Sequence, residues 1–200
     1  MKQTLFGKGR EKILRYFYEA RGRERYFSEI LRATGLSQPA TLHQLRALEA
    51  SNILISTKKI GNTFYKINAK NPQVRAIFAY FDYQRLNELP STRRKAIIEF
   101  LERMEKKTLI ALVFGSTAKG TFTKESDIDL LLVYNTKEKA DTKLQEEIEA
   151  ITGMNIQTFI INYAYFKEQT MKQDDAVVTH AIKTGFTVSG FDLFYQEVLR

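Results

Sequence analysis

The segment LIALVFGSTAKGTFTKESDIDLLLVY, residues 109–134, decides the fold of the second half of the chain. Its first part, Leu109 to Phe114, is nearly continuous in apolar residues, which predicts a buried strand. Gly115-Ser116 ends that strand, a short polar loop follows, and a second apolar strand begins at Asp127. The segment therefore predicts a strand, a tight turn into a short helix, a loop and a second strand.

Two carboxylates stand at the start of the second predicted strand. Because residues i and i+2 of a strand point to the same face, Asp127 and Asp129 are expected to project together. Such a pair suits Mg²⁺ (or Mn²⁺), which is bound through one or two carboxylates together with waters and substrate phosphates. We therefore predict that Asp127 and Asp129 are the catalytic, metal-binding residues.

The residues around the turn fit a phosphate ligand. Gly115 lets the backbone approach a phosphate closely, Ser116 adds a hydroxyl, and Lys119 supplies positive charge. We expect a nucleoside triphosphate, as substrate or ligand, to be bound by Gly115, Ser116, Lys119 and Ser126. The alternative is an ordinary Gly-Ser turn with Asp127 at a strand end, but the placement of both motifs at strand ends favours the site.

The segment resembles the signature of the minimal nucleotidyltransferases of the DNA polymerase β superfamily, in FGSTAKG (residues 114–120) and SDIDL (residues 126–130). The resemblance covers about residues 92–190. It implies that the Gly-Ser pair binds the triphosphate, that the two aspartates bind Mg²⁺, and that a nucleoside monophosphate is transferred as pyrophosphate leaves. Lys119 stands where the family often has arginine, so the charge is kept but the bidentate fork is lost.

Active relatives usually carry a third carboxylate on a later strand, where it acts as the general base. The corresponding strand here is predicted at Asn155 to Asn162 (NIQTFIIN), which contains no Asp or Glu. Asn155 or Gln157 occupies the place, and an amide cannot accept the proton. The missing acid predicts either a slow enzyme or a protein that only binds nucleotide.

Three helices and a hairpin are predicted in the first half. Ser37 caps the third helix, Gln38 to Ala50, and Thr41, Leu45 and Leu48 follow at core-facing spacing. Two β-prone runs, Ile53 to Lys59 and Thr63 to Ile67, flank Gly61-Asn62. The side chains predicted to contact double-stranded DNA lie on the polar side of the helix and beside the hairpin tip: Gln38, His43, Gln44, Arg46, Lys58 and Lys59.

The charge distribution agrees with a DNA-binding first half. Residues 1–90 hold 16 Lys+Arg and 7 Asp+Glu, a net of +9, whereas residues 91–200 hold 15 and 16, a net of −1. A basic segment beside a neutral one indicates that one domain meets a polyanion.

Residues 9–70 resemble winged-helix regulators of the ArsR-like kind, in SQPAT (residues 37–41) and GNTFY (residues 61–65). Leu42 departs from the pattern, since it falls on the outward side. It either reads a thymine methyl group, or the helix phase is wrong by one residue. The aromatic-rich helix Pro72 to Leu86 fits core packing or a dimer interface. Because helix-turn-helix proteins bind paired half-sites, we expect a homodimer.

These features predict an α+β protein, with an N-terminal winged helix-turn-helix domain (residues 1–90) and an α/β nucleotidyltransferase domain with a small mixed sheet (residues 91–200). The absence of cysteine excludes disulfides and Cys-based zinc sites. The apolar runs are too short to span a bilayer, and no signal peptide is recognisable, so we expect a cytoplasmic protein with no membrane partner.

The leading hypothesis is a DNA-binding transcriptional regulator whose C-terminal domain binds a magnesium–nucleotide complex. The first alternative is an active nucleotidyltransferase that modifies a protein, an RNA end or a small molecule. The second is an antitoxin-like partner of a toxin protein.

Overall fold

The computed structural model describes residues 5–59 and 61–200. The chain divides into two compact units, Met1–Phe81 with Leu199–Arg200, and Asp82–Val198. The division lies inside one helix, α4 (Pro72–Glu88), rather than after Pro90. Asp82 and Arg85 on this helix make side-chain hydrogen bonds within the second unit.

The first unit has the element order of a winged helix. Its elements before α4 are α1 (Lys8–Glu19), β1 (Arg25–Tyr26), α2 (Phe27–Thr34), α3 (Gln38–Ala50), β2 (Leu54–Lys59) and β3 (Asn62–Ile67). The strands form an antiparallel sheet in the order β1-β3-β2. The predicted hairpin is therefore present, and the short strand β1 extends it.

The helix α3 has the predicted cap and phase. The Ser37 hydroxyl accepts a hydrogen bond from the Ala40 backbone N–H at 3.4 Å, and Thr41, Leu45 and Leu48 are fully buried. Leu42 is half-buried on the outward side, so the helix phase is correct and the alternative of a one-residue shift is wrong.

The helix α2 begins at Phe27, directly after Tyr26. The Tyr26 backbone N–H donates to Glu29 Oε2 at 3.1 Å. That hydrogen bond satisfies a free N–H at the helix start, which lets the helix begin at Phe27.

The first half of α4 supplies core side chains to the first unit. Val74, Phe78 and Phe81 are fully buried there. The Tyr18 ring meets Phe78 edge-on, with ring centroids 5.5 Å apart, an arrangement that aromatic pairs favour. These aromatic residues of α4 therefore form part of the core of the unit.

The second unit is an α/β domain built on one mixed sheet. Its elements after α4 are α5 (Ser91–Arg103), β4 (Ile110–Phe114), α6 (Gly115–Lys119), β5 (Ile128–Tyr134), α7 (Thr142–Thr152), β6 (Ile156–Asn162), α8 (Tyr163–Lys172), α9 (Ala176–Thr184), β7 (Phe186–Ser189) and α10 (Phe191–Val198). The strand order is β6-β5-β4-β7. Only β5 and β6 pair in parallel, and α7 is the crossover helix that this pairing requires.

One face of this sheet is packed against α5 and α7. Ile128, Leu130 and Leu132 of β5 share a buried cluster with Phe100 of α5 and Ile148 of α7. Since side chains alternate along a strand, Asp129 lies on the opposite face, away from these two helices. The domain core thereby fixes the direction of the predicted metal ligand.

The second half of α4 is joined to the domain by polar contacts. Asp82 is 1% exposed and accepts hydrogen bonds from the Tyr195 hydroxyl at 2.7 Å and from the Thr187 hydroxyl. A buried carboxylate is tolerated only when it is hydrogen-bonded in this way.

No helix in the described part of the chain has the length and apolar character needed to cross a membrane.

Candidate active site and nucleic-acid interface

The two aspartates lie at the edge where β4 ends and β5 begins. Asp129 pairs with Phe114 of β4 on one side and with Gln157 of β6 on the other. Asp127 directly precedes β5, and both aspartates are half-buried. The end of β4 leads straight into α6, so the Gly-Ser turn and Asp129 occupy the same corner of the sheet.

Gly115 is required at this corner for two reasons. Its φ of +65° lies in the left-handed region, which favours glycine. A Cβ added to it would also stand 2.0 Å from Asp129 Oδ2. The Asp129 carboxylate therefore occupies the space that any other residue at position 115 would fill.

The remaining predicted nucleotide contacts differ in their surroundings. Ser116 is half-buried on α6, and Lys119 at the end of that helix is exposed. Ser126 Oγ accepts a hydrogen bond from the Thr123 backbone N–H at 2.9 Å. Its hydroxyl therefore already closes the turn that precedes Asp127.

The electrostatics of the corner favour a bound cation. Burial raises the pKa of Asp129, and the charge of Asp127 raises it further, whereas His180 lowers it. The His180 pKa is itself lowered by burial and by the charge of Lys119, while Asp129 raises it. Two carboxylates that repel each other would be relieved by a divalent cation, and this donor set fits Mg²⁺ or Mn²⁺.

Two amides stand where a third carboxylate would be expected. Gln157 is exposed and lies in register beside Asp129. Asn155 Nδ2 donates a hydrogen bond to Asp127 Oδ1 at 3.1 Å. Residues 5–59 and 61–200 contain no group of three or more His, Cys, Asp or Glu side chains placed to hold a metal. The site thus offers two carboxylates flanked by amides.

The outward surface of α3 carries most of the predicted DNA contacts. Gln38, His43 and Arg46 are exposed and line a shallow groove together with Pro39 and Leu42. Gln44, by contrast, is half-buried, and its Oε1 accepts a hydrogen bond from Arg10 Nε at 3.4 Å.

The two lysines of the hairpin are not equivalent. Lys59 forms an ion pair with Glu24, with 2.7 Å between Nζ and Oε2, and lies over the Phe64 ring at 5.2 Å. Lys58 is exposed beside it. Lys58 is therefore the better placed of the two for a phosphate.

Comparison with protein families gives two matches. Residues 95–181 match the family described as Polymerase beta, Nucleotidyltransferase. Residues 7–56 match the family described as Bacterial regulatory protein, arsR family. The chain joins an ArsR-type helix-turn-helix to a nucleotidyltransferase domain. No curated protein and no solved structure matches the chain significantly.

Sequence reasoning missed two arginines that support the corner of the nucleotidyltransferase domain. Arg85 of α4 donates to the carbonyl oxygens of Ala118 at 2.7 Å, Thr184 at 2.9 Å and Gly185 at 2.9 Å. It thereby ties the end of α6 to the end of α9. Arg93 of α5 is buried behind the loop that leads to Asp127. Neither residue belongs to a motif, and an isolated arginine in a helix gives no signal of such a role.

Proposed function

We propose that the protein is a DNA-binding transcriptional regulator whose nucleotidyltransferase domain binds a magnesium–nucleoside triphosphate complex. The observation that carries the proposal is the fit of the Asp129 carboxylate over Gly115, next to Asp127. This arrangement places two metal-binding carboxylates beside the turn at which a phosphate chain can approach the backbone.

Each residue of the site has a distinct part in binding. Asp127 and Asp129 would hold the cation, and the cation would offset the negative charge of the phosphates. Gly115 leaves room for the Asp129 carboxylate beside the turn, and the Ser116 hydroxyl offers a hydrogen bond to a phosphate. The exposed Lys119 adds a positive charge at the end of α6.

The amides at the third position favour binding over turnover. A general base contributes typically about 10²–10⁴-fold to a rate, and neither Asn155 nor Gln157 can accept a proton. Asn155 instead donates a hydrogen bond to Asp127. A bound nucleotide would therefore be turned over only slowly, as a ligand that acts as a signal requires.

The first domain would deliver that signal to double-stranded DNA. Gln38, His43 and Arg46 would enter the major groove, and Lys58 would contact the phosphate backbone. Since helix-turn-helix proteins bind paired half-sites, we propose a homodimer as the binding form. Nucleotide occupancy would shift the equilibrium between a tightly and a weakly DNA-binding state.

A working nucleotidyltransferase is the second candidate. The specific observation in its favour is that both aspartates and the Gly115 turn are present together, although the third acid is absent. Such an enzyme would transfer a nucleoside monophosphate to a protein, RNA or small-molecule acceptor. It would do so slowly, because Asn155 and Gln157, which cannot accept a proton, stand where the base for the acceptor hydroxyl is expected.

One set of measurements separates these candidates. The protein is mixed with Mg²⁺ and α-labelled ATP, GTP, CTP or UTP, and both equilibrium binding and label transfer in cell extract are followed. Binding without transfer supports the regulator, and transfer lost in Asp127→Ala and Asp129→Ala supports the enzyme. If no nucleotide binds with or without Mg²⁺, both candidates are wrong.

The regulator also requires DNA binding that responds to nucleotide. Arg46→Ala is expected to weaken binding and to lower the salt dependence of the affinity, since it removes a cation from α3. DNA affinity measured with and without the bound nucleotide should differ about fivefold or more, the lower range of allosteric coupling. Equal affinities would leave nucleotide binding without a regulatory role.

A further inference from the structure

We propose that Arg93 is a positioning residue of the metal–nucleotide site, which it serves by holding the loop that carries Asp127 against α6. The loop comprises residues 121–127 and joins α6 to β5. This inference rests on the proposed function, since it assigns a role toward the same site. Arg93 lies outside both sequence motifs, residues 114–120 and 126–130.

The hydrogen bonds of Arg93 reach this loop and α6 at once. Its side chain is buried, with 2% of the residue exposed. Nη2 donates to the carbonyl oxygens of Thr123 at 2.8 Å and Ser126 at 2.6 Å. Nη1 donates to Thr117 Oγ1 of α6 at 3.0 Å and to the Asp127 carbonyl at 3.3 Å. One guanidinium therefore fixes the distance between the turn and the aspartate.

Thr117 and Phe122 complete the arrangement. Thr117 is 1% exposed, and its hydroxyl accepts from Arg93 and donates to the Asp127 carbonyl at 3.3 Å. The Phe122 ring lies 4.4 Å from the guanidinium carbon. The loop thus encloses the guanidinium with carbonyls on its edge and an aromatic ring on its face.

Arginine suits this place better than lysine would. Its planar fork presents five donors in fixed directions, whereas an ammonium is a single point on a flexible stem. Burial lowers the pKa of Arg93, and the charge of Asp127 raises it.

The adjacent Arg94 provides a matched control. It lies on the same helix but is only half-buried, and its Nη1 donates to the Asn87 carbonyl at 3.0 Å. Arg93→Lys and Arg94→Lys therefore make the same chemical change at positions with and without contact to the loop. Thr117→Val is a gentler second variant, since it removes one hydroxyl and keeps the shape.

The experiment compares the full-length wild type with these three variants in two measurements. Amide hydrogen exchange of residues 121–127 is followed without metal. Binding of a fluorescent ATP, or of whichever triphosphate binds the wild type best, is measured with Mg²⁺ and with EDTA. A general loss of structure would weaken both affinities, whereas a misplaced Asp127 weakens only the one that depends on metal.

For Arg93→Lys we expect faster exchange confined to residues 121–127, at least a tenfold loss of affinity with Mg²⁺, and EDTA affinity within about twofold of wild type. Arg94→Lys should behave as wild type, and Thr117→Val should show a smaller loss of the same kind. Wild-type affinity with Mg²⁺ in a folded Arg93→Lys protein overturns the inference. An equal loss of triphosphate affinity in EDTA and in Mg²⁺ also overturns the inference.

Two further results also test the inference: an Arg93→Lys protein that does not fold, and a wild type that binds no triphosphate. If Arg93→Lys does not fold, the metal-dependent affinity of Thr117→Val decides, and no loss there overturns the inference. If the wild type binds no triphosphate at all, the proposed function is wrong. The exchange comparison then decides separately whether Arg93 holds the loop, and unchanged exchange refutes even that.

Discussion

The carboxylate of Asp129 lies against the backbone of Gly115, so close that a Cβ at position 115 would stand 2.0 Å from Asp129 Oδ2. Gly115→Ala must therefore displace the aspartate in addition to straining a backbone with φ of +65°. We expect this variant to lose metal-dependent nucleotide binding and to show a clearly lower Tm.

Gly120→Ala is the control for that prediction. Gly120 has a similar φ of +71°, but nothing lies within 4 Å of an added Cβ. Gly120→Ala should therefore lower the free energy of unfolding only by the strain of the left-handed conformation, about 1–2 kcal/mol. Nucleotide binding should be largely kept. If both variants bind nucleotide equally well, the close contact between Gly115 and Asp129 is not needed for nucleotide binding.

A second prediction concerns stability and pH. Because burial and Asp127 raise the pKa of Asp129 in the folded protein, the folded state holds this proton more tightly than the unfolded state. The contribution of Asp129 to stability therefore falls as pH rises from about the ordinary aspartate value of 3.8 through the raised pKa. At pH 7 without divalent cations, the ionised Asp129 carboxylate therefore lowers the stability of the folded protein.

Asp129→Asn should accordingly raise the Tm at pH 7 in EDTA. A gain of about 1 kcal/mol in the free energy of unfolding would raise the Tm by roughly 2–4 °C. Because water around the half-buried carboxylate screens its charge, we expect a gain of this size or smaller. The gain should vanish near pH 3, and Mg²⁺ should stabilise the wild type alone. Glu125→Gln, an exposed acid in the same loop, is the control; a Tm unchanged by Asp129→Asn contradicts the prediction.

A third prediction is that catalysis can be gained at position 157. Gln157 lies in register beside Asp129, so Gln157→Asp would place a proton acceptor next to the two aspartates. We expect the release of nucleoside monophosphate, with water as acceptor, to rise about 10²-fold. Asn155→Asp should not produce this gain, since it replaces a hydrogen bond to Asp127 with repulsion. A Gln157→Asp protein that binds nucleotide but releases none faster would show that more than the base is missing.

The fourth prediction separates the two lysines of the hairpin. Lys58→Ala should weaken DNA binding and reduce the slope of log affinity against log salt by about one. Lys59→Ala should have the smaller effect, because its ammonium already pairs with Glu24 and lies over Phe64. Fluorescence anisotropy at several salt concentrations measures both. Equal losses would mean that DNA draws Lys59 away from Glu24.

The repeating patterns in the sequence were sufficient to predict the phase of α3 and the order of β4, α6 and β5. Thr41, Leu45 and Leu48 are buried as their spacing indicates. The sequence left open whether Asn155 or Gln157 takes the third position. The parallel register of β5 and β6 places Gln157 beside Asp129, whereas Asn155 contacts Asp127.

The roles of Arg85 and Arg93 could not be predicted from the sequence, for a physical reason. Arg85 and Arg93 donate to backbone carbonyls that lie 30 or more residues away in the chain. A carbonyl is present at every residue, so such a partnership leaves no mark in residue types or in their spacing. The helix α4 itself was predicted, but not that its part from Asp82 onward belongs to the second unit, because Asp82 meets its partners Thr187 and Tyr195 only in the folded chain.

The position of Asp82 and Arg85 on α4 has a practical consequence for preparing the nucleotidyltransferase domain alone. A fragment that starts at residue 91 would lose Arg85, which donates to three carbonyl oxygens around α6 and α9. It would also lose Asp82, which accepts a hydrogen bond from the Tyr195 hydroxyl. Such a fragment should aggregate or expose its Gly-Ser turn to proteases. The shortest soluble piece with this site should begin at or before Asp82.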